Sequence, residues 1–100
     1  MIFHVVTASQ WQQFENQDHY VADSLAIEGF IHCSTAAQVA GVLQRYYAGA
    51  TDTMLLHIDE NLLTAELKYE LAPSVNELFP HVFGAINKSA IVAITDTSSF

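Results

Sequence analysis

The chain has 100 residues, of which 51% are apolar and 14% charged: enough for one domain with one core, and far from the charge-rich composition of disordered chains. Eleven Asp and Glu against three Lys and Arg give a net charge of −8, which repels phosphate backbones and anionic lipid and so excludes a broad nucleic-acid or membrane-surface role. A small anionic ligand stays admissible, because backbone N–H groups hold a phosphate whatever the net charge.

Met1 runs straight into "IFHVVT" without the basic start of a signal peptide, and no apolar run approaches the roughly 20 residues that span a bilayer. The single cysteine, Cys33, cannot close an internal disulfide. One domain over 1–100 in the cytoplasm is the expectation.

The β-branched and aromatic run 2–7 reads as the first strand. Ser9 with Gln12 resembles a capping box and predicts a short helix over about 10–17, with Trp11 and Phe14 inward. "NQDHYVAD" is polar and irregular. "GFIHCS" (29–34) is the next strand, and Thr35 with Gln38 forms a second capping box at its end. Val39, Val42, Leu43, Tyr46 and Tyr47 then recur at helical spacing up to Gly49, where left-handed backbone ends a helix at little cost.

"TMLLHID" (53–59) is a strand. In "ELKYELA" (66–72), Leu67, Tyr69 and Leu71 alternate with Glu66, Lys68 and Glu70, the pattern of a sheet with one buried and one wet or functional face. Residues 73–89, punctuated by Pro73, Pro80 and Gly84, read as an ordered, aromatic-rich loop, and 90–97 closes the chain as a strand. About five strands, with both helices in the N-terminal half, argue α+β rather than repeating βαβ units.

Five histidines is a high count, but none pairs with another His or a Cys at zinc-ligand spacing, so no metal site is expected. His57 sits mid-strand and reads as a residue of a partly solvated sheet face. His32 and Ser34 differ, because a period of two sets both on one face of a strand that enters a helix N-terminus, where an imidazole, a hydroxyl and free N–H groups suit an anionic ligand. The plainer alternative is a capping Ser34 and a hydrogen-bonded core His32. Cys33 points away from that face and reads as packing.

His4, between Ile2 and Val6, is an odd polar ring on an apolar strand and calls for a partner or ligand. His81, flanked by Pro80 and near Phe79 and Phe83, could close with that aromatic wall over a flat ligand. Lys68 and Glu70 read as a solvated pair, and Glu70 becomes a general base or cation stabiliser if its face lines a pocket.

Taken in order, "IFHVVT", Trp11, "SLAIEGFIHCST", "AAQVAGVLQRYYAG", "LLHID", "LKYE" and "FPHVFG" resemble the bacterial family known as domain of unknown function 952, along nearly the whole chain. Phe83 departs from the tyrosine that many members carry there. The resemblance implies a fold similar to the ADP-ribosyltransferases: a small split or curved mixed sheet that binds NAD in its cleft rather than on a Rossmann motif. It implies His4 against the nicotinamide-side ribose, and His32, Ser34 and Thr35 at the hydroxyl-bearing entrance of the helix. His32 and Glu70 would be catalytic, and His81 and Phe83 would be ligand-binding. Glu70 would stabilise the oxocarbenium-like cation formed when nicotinamide leaves, and N–H groups at the start of the second helix would hold the pyrophosphate.

NAD thus enters as a substrate and not as a resident cofactor, and the expected partner is a small molecule. No oligomeric state follows. Two other readings compete: a binding module that keeps the pocket without the reaction, and a two-histidine phosphodiesterase. The second needs a repeat of the His-x-Ser element at His32, and neither His57 nor His81 is followed by such a hydroxyl.

Overall fold

The computed structural model describes residues 1–98. β1 (Ile2–Thr7) leads into α1 (Ala8–Gln12), β2 (His19–Tyr20), α2 (Ser24–Glu28) and β3 (Ile31–His32). A 3-10 turn (Ala36–Gln38) opens α3 (Val39–Tyr46), which is followed by β4 (Thr53–Ile58), β5 (Leu67–Ala72), β6 (Glu77–Val82), β7 (Ile86–Asn87) and β8 (Ile91–Asp96). The architecture is α+β.

The strands form three antiparallel sheets with orders β1-β4-β8, β3-β6-β5 and β2-β7, so the expected mixed sheet is antiparallel in every described pairing. A single bridge joins the first two: Phe3 N–H donates to Ser34 O at 2.8 Å and Ser34 N–H to Phe3 O at 2.7 Å.

β1 is buried on both faces, which explains its unbroken apolar run. Ile2 and Val6 join Leu56 and Ile58 of β4 in the main core with Tyr20, Ile31, Val82 and Ile86. On the other face, Phe3, Val5 and Leu55 pack under Val39, Val42 and Leu43 of α3 and its C-cap Tyr47. That leaves His4 facing the main core, between Ile2 and Val6.

Several expectations change. The first helix starts earlier and is shorter, because Thr7 caps it: Gln10 N–H donates to Thr7 Oγ1 at 3.2 Å and Thr7 N–H to Gln10 Oε1 at 3.1 Å. The strand expected over 29–34 contracts to two residues, since Gly29 (φ +88) is the left-handed C-cap of the unforeseen α2 and the chain leaves the β3 ladder after His32. Tyr46 lies on the outer side of α3, 72% exposed.

The largest correction concerns 73–89, which is a hairpin strand and not a loop. Residues 73–76 turn the chain, with Asn76 left-handed at φ +54, and β6 then runs in register against β5. Pro80 is accommodated because only its carbonyl is needed, accepting Cys33 N–H at 3.0 Å. The expected buried face of β5 holds only at Leu67, which packs against the main core: Tyr69 and Leu71 are exposed, while on the other face Lys68 is exposed and Glu70 lies beside the buried His81.

Candidate functional site

β3 and β6 pair so that His32 stands directly opposite His81, with Lys68 of β5 beyond it. The two imidazoles meet edge to face at 5.2 Å. Phe30, turned inward after Gly29, stacks on His81 at 4.0 Å and 14° and touches Phe83 at 5.4 Å. His81 Nδ1 lies 2.8 Å from Glu70 Oε1 and His32 Nε2 lies 2.8 Å from Glu28 Oε2. A carboxylate accepts, so each of these nitrogens carries the proton.

His4 arrives from the other sheet. Its Nδ1–H donates to His32 O at 2.6 Å, and its Nε2 lies 3.1 Å from the Tyr20 hydroxyl. Both ring nitrogens are therefore engaged within the protein. Burial pulls this imidazole down to about 4, against an ordinary 6.5, so the ring is neutral near pH 7 and Nε2 accepts the Tyr20 O–H. Burial likewise raises Tyr20 and keeps its proton in place.

These groups line a cleft of about 690 Å³, within the range of small-molecule sites. His4, His32, Ser34 and His81 are in its wall; Thr35, Glu70 and Phe83 are not. Glu70 reaches the cleft only through His81. Phe83 packs against Phe30, which is not in the wall either, and its ring centroid lies 5.1 Å from Lys68 Nζ.

The N–H groups expected to hold a pyrophosphate are partly committed elsewhere. Ser34 N–H bonds Phe3 O and Thr35 N–H donates to Gln38 Oε1 at 3.0 Å. The other end of Gln38 donates from Nε2 to Leu78 O at 2.8 Å and ties the entrance of α3 to β6.

Cys33 also lines the cleft, but it is 3% exposed and burial pushes its thiol up to about 12, so it stays a protonated packing group. Among the described residues no group of three His, Cys, Asp or Glu could hold a metal ion, and no helix is long and apolar enough to cross a membrane.

The profile of the family described as "Protein of unknown function (DUF952)" matches residues 5–94. The chain belongs to that family. The DUF952 fold recurs in the protein CC0527 from Caulobacter crescentus. Its crystal structure is 22% identical over 95% of this chain and 83% of that one, with a TM-score of 0.85. A double mutant of CC0527 gives 21% identity and 0.84 over the same coverage, and its solution NMR structure 22% and 0.80 over 95% and 82%. At this identity the likeness shows the shared fold alone. No curated protein matches the chain.

For this DUF952 member, the wall residues missed from the sequence include Tyr20, Arg45, Asp23, Ser24 and Glu28. Tyr20 had a signal in being the aromatic of an otherwise polar stretch. Arg45 is one of three cations in the chain and the only Lys or Arg in the wall, which Asp23 and Glu28 also line.

Proposed function

We propose that the cleft binds NAD or an ADP-ribose-type ligand and that the protein is ADP-ribosyltransferase-like in its chemistry. One observation carries this reading: His4, His32 and His81, far apart along the chain, line one hollow of about 690 Å³. Arg45 is the natural partner for the phosphates, in place of the backbone N–H groups that enter α3.

The reactive group is His81. With its Nδ1–H directed at Glu70, the neutral form of the His81 ring has an Nε2 lone pair with no protein partner among the described residues. The C–N bond to nicotinamide breaks with its electron pair going to the leaving group. The ribose becomes cation-like, and His81 Nε2 takes the proton from the attacking water or hydroxyl. Glu70 acts through His81, holding the ring and stabilising the charge it gains, as the carboxylate does in carboxylate–imidazole pairs generally.

Scanning fluorimetry with NAD, ADP-ribose and AMP at millimolar concentration tests binding, and a rise in Tm is expected. Nicotinamide release tests turnover: Glu70→Gln is expected to lower it about 10- to 100-fold while leaving ligand affinity near wild type. Stabilisation without any release would assign the cleft to a binding module, and no stabilisation by any of the three ligands would sink the reading.

A further inference from the structure

We infer that Tyr20 gives the floor of the cleft an acceptor-only oxygen, and that this oxygen selects a ligand hydroxyl, a ribose O–H, in place of the contact expected from His4. The inference rests on the ADP-ribose reading of the cleft.

The argument is one of counting protons. His32 O can only accept, so His4 Nδ1 holds the proton of the neutral ring and Nε2 is left with a lone pair. The Tyr20 O–H, 3.1 Å away, must then donate to Nε2. Its single proton is spent, and the phenolic oxygen has only acceptor capacity for anything in the cleft. His4 has no polar atom left to offer. The body of Tyr20 is enclosed by Trp11 at 5.8 Å and Phe14 at 5.3 Å, and the ring cannot swing away from His4 without unpacking both. Both Tyr20 and His4 line the cleft, and at 2% and 8% exposure each offers it only a narrow edge, which we take to be their hydrogen-bonded junction. A ligand atom that only accepts would meet an unpaired oxygen there and be rejected, whereas a hydroxyl donor completes the chain ligand–Tyr20–His4–His32 O.

The test is calorimetric titration with ADP-ribose and a set of analogues each lacking one ribose hydroxyl. One analogue is expected to bind wild type about tenfold more weakly than ADP-ribose, and Tyr20→Phe is expected to bind that analogue and ADP-ribose alike. Wild type binding every analogue as well as ADP-ribose would overturn the inference and leave the functional reading standing. Failure of ADP-ribose itself to bind would overturn both. Because Tyr20→Phe leaves a buried lone pair and can lose its fold, nitrogen-detected NMR of wild-type His4 gives a second measure. A proton on Nδ1 and none on Nε2 is expected near neutral pH, and the reverse tautomer would overturn the inference.

Discussion

Cys33 and His4 are neighbours in the wall of one cleft, and burial takes the charge from each by opposite routes: it raises the thiol and lowers the imidazole. For Cys33 the result is chemical silence, since the thiolate is the reactive form and almost none exists below pH 10 when the thiol stands at about 12. A thiol reagent at pH 8 is expected to leave the native protein unmodified over hours and to label it fully, at one site, once denaturant is added. Fast labelling without denaturant would show that the wall opens readily. His32 and His81 are held by carboxylates, Glu28 and Glu70, that no local pattern linked to them. Glu28 is four residues from His32 across a helix end, and Glu70 meets His81 only through the β5–β6 register. The residue types of the site could be read from the sequence, but their partners could not.

Among the elements, β1, α3 and β4 were legible because each carries a strong period or an unbroken apolar run that burial then uses directly, and β8 was legible from its apolar run although all of it but Ile91 is exposed. β6 was hidden by Pro80 and by polar residues at its start, both of which count against a strand locally. Pairing with β3 on one side and β5 on the other overrides that local cost. α2 and the two-residue β2 and β7 are too short to show any period. Gly84, just after β6, marks a second place where packing decides. A Cβ there would stand 2.9 Å from the Ala65 Cβ, an atom with no rotamer to move. Gly84→Ala therefore forces backbone apart beside Phe83, and it is expected to destabilise by about 1–3 kcal/mol, read as a Tm lowered by at least 4 °C or so. An unchanged Tm would mean that the segment around Ala65 shifts freely.

At the scale of the molecule, one topological fact makes the cleft: the Phe3–Ser34 bridge holds two sheets edge to edge, and His4 of one reaches His32 of the other. No sequence pattern encodes such a bridge, which is why Tyr20 and Arg45 escaped notice although His4, His32 and His81 did not. The same junction makes folding depend on pH. His4 has a folded value of about 4 and an ordinary one of 6.5, so between these values the unfolded chain binds the extra proton. Its contribution to stability is complete above about pH 6.5 and is lost as the pH falls toward 4, about 3 kcal/mol in all. His4→Gln has no such proton to take up. In urea titrations across this window, wild-type stability is expected to fall more steeply with decreasing pH than that of the variant, the difference in slope approaching about 1.4 kcal/mol per pH unit. The carboxylates titrate in both proteins and cancel in the difference. Parallel slopes would mean that His4 accepts its proton in the folded state, and with it that the junction between the sheets is wet.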